Sequence, residues 1–171
     1  MKRIIITIWL GTIAAMTFAA EPIPNPLINY REFQQIVTAS AAERQTRRLT
    51  EDDFLGGMKQ PGVVVLDARS ESKYRLLHVK GAVSLPFTEF TDASLARVLP
   101  GKGSKILIYC NNNFLGEPMA FASKKPAASL NLSTYTSLKA YGYTNVFELG
   151  PLLDVSRTKI PFEGEGSGAK R

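Results

Sequence analysis

The only cysteine in the chain sets the chemical question. Cys110 lies in "KILIYCNNNFLGEP", where the apolar run Ile106-Leu107-Ile108-Tyr109 leads into it and Asn111, Asn112 and Asn113 follow. A cysteine acts as nucleophile or carrier in its thiolate form, which needs nearby dipoles or cations to favour the charge. A single cysteine cannot supply the Cys-x-x-Cys of a disulfide oxidoreductase, and one cysteine with one histidine cannot close a zinc site. On position alone, a buried cysteine packing as a small hydrophobe is an equal reading. Asparagine tolerates left-handed backbone angles better than most side chains. Asn111–Asn113 are therefore expected to turn a loop that aims successive backbone N–H groups at the sulfur, with their amides available to an anionic substrate. A plain polar turn is the alternative.

Other residues that could join this chemistry are few. Asp67 closes the apolar run Val63–Leu66 and is followed at the next but one position by Arg69. Asp67 could act as a base, although a hydrogen-bond acceptor that fixes a loop is favoured. Arg69, Lys124 and Lys125 are the cations considered for an anionic substrate. A salt bridge with Glu71 or another acid is the simpler role for Arg69, and a solvated helix end for the lysines. His78, the sole histidine, reads as a structural hydrogen-bonder, since spacing alone does not support a Cys-His pair. Tyr109 and Phe114 flank the cysteine and either shape its pocket or pack.

The elements that must position these residues alternate along the chain. Val63–Leu66, Ala82–Leu85, Lys105–Tyr109 and Asn145–Leu149 are short apolar or β-branched runs, as expected of strands buried on both faces. Between them lie helical patterns. One follows Thr50, with acidic Glu51, Asp52 and Asp53 in its first turn. A second spans Ser70 to Leu77, capped by Ser70 or Ser72. A third is "ASLARVL", capped by Thr91 or Asp92, and a fourth runs from Thr134 to Tyr141, with Gly142 at its C-terminal cap. A short helix is also expected from Pro118 to Lys124. The alternation predicts an α/β domain with a mainly parallel sheet, in which ligands gather beyond the carboxyl ends of the strands. Asp67 and Cys110 both fall at such ends.

The remaining segments organise the chain around that unit. Lys2-Arg3, the apolar Ile4–Phe18 and the small Ala19-Ala20 form a secretory-signal pattern over residues 1–20, with the mature chain starting at Ala20 or Glu21 and a periplasmic or secreted location. The apolar run is short for a bilayer core of ~30 Å, which disfavours an uncleaved anchor. Residues 21–48 read as a proline-rich linker and a helix, Ile28 to Arg48, with Phe33, Ile36, Val37 and Ala41 on one stripe. Residues 165–171 read as a disordered polar tail. The formal charge of +6 falls to +4 without Lys2 and Arg3. Scattered basic residues without interleaved aromatics argue against nucleic-acid binding.

The motifs together resemble the rhodanese-like domain family. "VVVLDARSESKYRLLHVKGAVSLPFTEF" resembles its opening half, with Asp-x-Arg after a strand and then His-x-x-Gly-Ala. "KILIYC" resembles the strand leading to the family's active-site cysteine, and "LKAYGYTNVFEL" its late helix and last strand. The resemblance covers about residues 49–164. It implies a three-layer α/β domain with a five-stranded, mainly parallel sheet between helices, and transfer of sulfane sulfur through a persulfide on Cys110 without a cofactor. The resemblance makes Asn111, Asn112, Asn113, Phe114 and Leu115 the substrate loop, Asp67 and Arg69 its support, and His78 a structural residue. The partners implied are a small sulfur-containing anion or a protein persulfide.

The sequence departs from the family at the loop. The sixth loop position, Leu115, stands where the family places an Arg, Ser or Thr at the start of a helix, and the segment from Cys110 to Gly142 is about a dozen residues longer than usual. Three functions follow: a sulfurtransferase or persulfide carrier, a catalytically inactive protein-binding module, and a cysteine phosphatase. The last needs a loop arginine to clamp phosphate and ranks lowest.

Overall fold

The computed structural model describes residues 23–165. The expected leader over residues 1–20, and all but the first residue of the expected tail, lie outside them. In chain order the elements are α1 (Tyr30–Arg44), β1 (Arg48–Leu49), α2 (Glu51–Met58), β2 (Val64–Asp67), α3 (Glu71–Leu76), β3 (His78–Val79), β4 (Val83–Ser84), α4 (Asp92–Val98), β5 (Ile106–Tyr109), β6 (Phe114–Leu115), α5 (Leu130–Ala140), β7 (Val146–Leu149), β8 (Leu153–Asp154) and β9 (Phe162–Glu163).

The four apolar runs become adjacent strands of one sheet, in the order β1-β7-β5-β2-β4, and every pairing in it is parallel. Asp67 pairs in register with Tyr109, so β2 and β5 end at one edge and Cys110 leaves that edge beside Asp67. A strand buried on both faces feeds alternate residues into two cores. Val65, Leu107 and Tyr109 pack with Phe54, Val79, Phe114 and Phe121 on one face. Leu66, Ile106 and Ile108 pack with Leu95, Leu99, Tyr135 and Leu138 on the other. This is the α/β domain with a parallel sheet that the alternation implied, in the three layers that the family resemblance implied. A Cβ on Gly57 would lie 3.0 Å from Leu107 Cδ1, so the glycine that weakens α2 as a helix lets it sit close on β5. Gly142, at φ 82°, ends α5 in the left-handed conformation expected of its cap.

Several boundaries differ from expectation. The first helix stops at Arg44, and Arg48–Leu49 instead adds an edge strand against β7. The stripe on α1 is not buried in the domain: Phe33 and Val37 are exposed, and Ser40 is the helix's buried residue. Helix α1 packs on α5, tied by a 2.8 Å ion pair between Lys139 and Glu43. No helix forms from Pro118 to Lys124, and α5 begins four residues before the expected Thr134. The backbone groups that such a helix would use are claimed elsewhere. Arg69 takes the carbonyl of Ala120, the Asn112 amide takes both the N–H and the carbonyl of Lys124, and Phe121 is drawn into an aromatic cluster with Phe114 and Phe162. Two small pairings, β3 with β9 and β6 with β8, tie down the chain after β7.

Asp67 and Arg69 form a buried ion pair, 0% and 2% exposed. Arg69 Nη2 lies 2.6 Å from Asp67 Oδ2 and Arg69 Nε 2.9 Å from Oδ1. The guanidinium also donates to the carbonyls of Ala120 and Leu77 and stacks 4.3 Å over the Phe121 ring. Its partner is thus Asp67 and not Glu71, which pairs with Arg75. Tyr109 donates its hydroxyl hydrogen to Asp67 and accepts from Val79 N–H. Burial and then the Asp67 charge push the Tyr109 phenol well above its ordinary pKa. Burial opposes the charge on Arg69, yet the hydrogen bonds and charge of Asp67 outweigh it and raise the guanidinium further.

Replacing Arg69 by Ala leaves a buried, uncompensated Asp67 and should cost roughly 3–5 kcal/mol in urea unfolding. A loss below about 1 kcal/mol would show that Asp67 finds water or another partner. Tyr135 supplies a second test, because it is fully buried and its hydroxyl has no partner. Burial, followed by the Glu43 charge, pushes its pKa up to about 12. An unfolded tyrosine ionises near pH ~10, so the stability held by neutral Tyr135 is complete below that pH and is lost between there and about 12. Tyr135→Phe should therefore stabilise the protein by about 1 kcal/mol at neutral pH and flatten the alkaline loss in a urea-midpoint series.

Candidate active site

Cys110 follows the last residue of β5 in extended backbone, φ −148°. The three asparagines after it form one right-handed 3-10 turn, Asn111–Asn113. Among the described residues, no residue other than glycine has a positive φ, so the expected left-handed asparagine loop does not occur. The N–H of Phe114 is spent on the carbonyl of Asn111, and that of Asn113 is shared between the carbonyl of Cys110, at 3.1 Å, and the Cys110 side chain.

The asparagine side chains fasten backbone segments around the cysteine. Asn113 Oδ1 accepts from Cys110 N–H at 2.9 Å, and its Nδ2 donates to the carbonyls of Leu149 and Pro151 at 2.8 and 3.2 Å. The cysteine backbone is thereby fastened to the end of β7. Asn112 makes a two-way bond with the Lys124 backbone, 2.7 and 3.0 Å, and so holds the long segment after the loop against its base. An amide side chain presents a donor and an acceptor side by side, as a peptide group does, which suits both tasks.

The helix that faces the sulfur starts later than the family pattern implied. Phe114–Leu115 is strand β6, not the start of a helix, and Leu115 points outward at 48% exposure. The chain returns through a 3-10 turn at Pro126–Ala128 and enters α5 with Ser129 as N-cap. Ser129 makes no side-chain cap bond to its helix; its Oγ lies 3.4 Å from Cys110 Sγ instead. The sulfur thus meets the positive end of an 11-residue helix through a hydroxyl.

Cys110 is 1% exposed but lines a cavity of about 300 Å³. Ser129, Asn131, Arg44, Arg48, Glu148 and Leu149 are among its walls. Arg44, from the last turn of α1, grips Glu148 with Nη2 at 2.6 and 2.8 Å from the two carboxylate oxygens, and its Nε is buried without a partner. Arg48 Nε stands 3.7 Å from the same carboxylate, and its Nη2 donates to the Gly150 carbonyl at 2.9 Å. Charge does reach the cavity, then, but from α1 and β1. These arginines carry no signal in the sequence beyond local basicity: only the pairing of β1 with β7 sets Arg48 beside Glu148.

The other expected site residues lie apart from it. Asp67, Arg69 and Phe114 belong to the core beneath the loop, as support. Lys124 and Lys125 are exposed and do not line this cavity. His78 stacks on Tyr74 at 3.7 Å, with Nδ1 2.7 Å from the Tyr74 carbonyl, so that nitrogen carries the donated hydrogen; Nε2 faces Glu163 at 3.4 Å. Gly81 N–H, and then the neighbouring His78, hold the Glu163 carboxyl below its usual pKa.

A model of the rhodanese-like domain matches residues 50–150. Among solved structures, the BH2092 protein of Bacillus halodurans superposes with a TM-score of 0.54 at 15% identity, over 81% of this chain and 91% of that one. A rhodanese-like domain from Anabaena gives 0.51 at 21% identity, over 72% and 83%. No curated protein sequence matches the chain. The family match spans most of the chain, the parallel sheet is flanked as that fold requires, and Cys110 stands at its carboxyl edge: the chain belongs to the rhodanese-like domain family.

Proposed function

We propose that the protein is a sulfurtransferase or persulfide carrier that moves sulfane sulfur through Cys110. In the loading step the Cys110 thiolate attacks the outer sulfur of a donor R–S–SH. A Cys110 S–S bond forms, the donor S–S bond breaks, and its electron pair leaves on R–S⁻, which then takes a proton. Attack by an acceptor thiolate on the outer sulfur of the Cys110 persulfide reverses the bookkeeping, so no external oxidant enters.

One observation carries this reading: Cys110 Sγ opens into a cavity at the start of α5, with the Ser129 hydroxyl at 3.4 Å. A hydroxyl that serves sulfur rather than its own helix end is placed to donate to a thiolate, and the helix dipole favours the same charge. A phosphatase reading has no comparable support, because the loop carries no arginine to clamp phosphate. The leader pattern of residues 1–20 further suggests that this chemistry takes place in the periplasm or outside the cell, and N-terminal sequencing of protein recovered from those fractions should find Ala20 or Glu21 first.

Mass spectrometry of the purified protein after exposure to polysulfide should show one added sulfur on Cys110, lost on treatment with a thiol. Cys110→Ser should abolish the adduct and any transfer while leaving the urea midpoint nearly unchanged, since the swap alters little volume. An unmodified Cys110 that also resists alkylation across the neutral range would mean a buried structural cysteine and an inactive binding module.

A further inference from the structure

Helix α1 meets the domain through a contact that leaves polar groups unpaired. Among the described residues, four buried side-chain polar atoms have no hydrogen-bond partner: Ser40 Oγ, Arg44 Nε, Asn131 Oδ1 and the Tyr135 hydroxyl. All four lie on α1 or α5. Ser40 and Arg44 stand one turn apart on α1, and Asn131 and Tyr135 one turn apart on α5, so each pair shares one face of its helix. The two helices pack together, and the Arg44 guanidinium stands 5.7 Å from the centre of the Tyr135 ring. A buried polar atom without a partner opposes its own burial, because water would satisfy it. Such atoms are few in native proteins and call for an explanation. Here they gather at one contact between two helices.

Little apolar surface holds that contact closed. Phe33 and Val37 are exposed, and Ser40 is the residue that α1 buries. The attachments are ion pairs, Arg44 with Glu148 and the partly exposed Lys139 with Glu43. Elements with few buried apolar contacts open at low free energy, without unfolding the rest. What α1 separates is visible in the cavities. The Cys110 cavity of about 300 Å³ has a neighbour of about 410 Å³ between α1, α5 and Phe87. Arg44 and Leu132 line both, so these two side chains form the partition. Departure of Arg44 with its helix joins the two spaces into one groove along α5 that ends at Cys110. With α1 docked the sulfur is almost wholly buried, whereas a donor S–S bond must line up with Sγ for attack.

We infer that α1 is a detachable gate over the Cys110 cavity: it lifts from α5 as a unit, takes Arg44 with it and admits substrate to the sulfur. This rests on the sulfur-transfer reading for the substrate, but not for the motion. Strand β1 stays paired with β7, so Arg48 remains beside Glu148 when α1 leaves. The ion pairs close the gate, and hydration of the four unpaired groups favours its opening. Ionic strength and the polarity of the α1–α5 contact therefore set how often it opens.

Two measurements on the full chain at neutral pH test the gate: hydrogen exchange by mass spectrometry, and alkylation of Cys110 by iodoacetamide. The amides of α1 should exchange at least about tenfold faster than those of β5, and both this exchange and the alkylation should depend only weakly on urea, since local opening exposes little surface. The double variant Ser40→Ala/Tyr135→Phe removes two of the unpaired groups at residues that do not line the Cys110 cavity. It should lower α1 opening and Cys110 alkylation together, by about fivefold or more. Lys139→Met, which removes the more exposed ion pair, should raise both by about twofold, as should added salt. Alkylation that keeps its rate while α1 opening falls would show that the reagent enters by the existing mouth, and would overturn the gate. So would α1 amides that exchange only with global unfolding. Alkylation that follows α1 opening, in a protein that polysulfide does not convert to a persulfide, would keep the gate and sink sulfur transfer.

Discussion

The buried pair of Asp67 and Arg69 is the constraint from which much of the structure follows. Two charges taken out of water cost several kcal/mol each, and their attraction offsets that only where geometry and further hydrogen bonds are good. Here Arg69 uses its remaining donors on the carbonyls of Leu77 and Ala120, and Asp67 accepts from the Arg69 backbone N–H and from Tyr109. Four segments are joined at one point: the end of β2, the turn after α3, the end of β5 and the long segment after β6. A hydrophobic cluster of the same size would hold them as firmly but would accept several registers. A fork of fixed hydrogen bonds accepts one. The pair thereby sets which way β5 delivers Cys110, through Tyr109, the residue directly before it.

The same pair explains why the loop after Cys110 is divided. The additional residues could have pushed the helix away from the sulfur. Instead, Arg69 at Ala120 and Asn112 at Lys124 fold them back along the base of the loop, so that α5 still starts beside Cys110. The sulfur therefore meets both a backbone donor of its own loop, the Asn113 N–H, and the helix start. Ser129, 19 residues downstream, supplies a hydroxyl beside it.

The fold was legible because its signals are local and redundant. Apolar runs bounded by turns, caps at Thr50 and Thr91, and Gly142 after α5 each act over a few residues, and they agree. Cys110 was legible for the same reason, standing at the end of such a run. The rest of the site was not, because it depends on pairings distant in sequence. Nothing in "NNN" distinguishes an amide that fastens distant backbone from one that permits a left-handed turn; the distinction lies in Leu149, Pro151 and Lys124, which the fold brings up. The helix expected at Pro118 failed likewise: its propensity was sound, and long-range claims on its backbone outweighed it. Arg44 and Arg48 looked like scattered surface charge because their meeting with Glu148 requires β1 to join β7, a strand of two residues with little propensity of its own.

That last pairing gives α1 a role beyond packing. Helix α1 precedes the family-matched residues 50–150 and buries little apolar surface. Its attachment relies on α5 and on ion pairs, among them Arg44 with Glu148, at side-chain exposures of 23% and 2%. A carboxylate as buried as Glu148 is costly unless it is paired. Were α1 to lift away, Glu148 would be left with Arg48, whose Nε stands 3.7 Å from it on a side chain 55% exposed. The family fold provides the cysteine and its strand, and a helix outside the family-matched residues provides the arginine that pairs with the buried carboxylate of the cavity the cysteine lines.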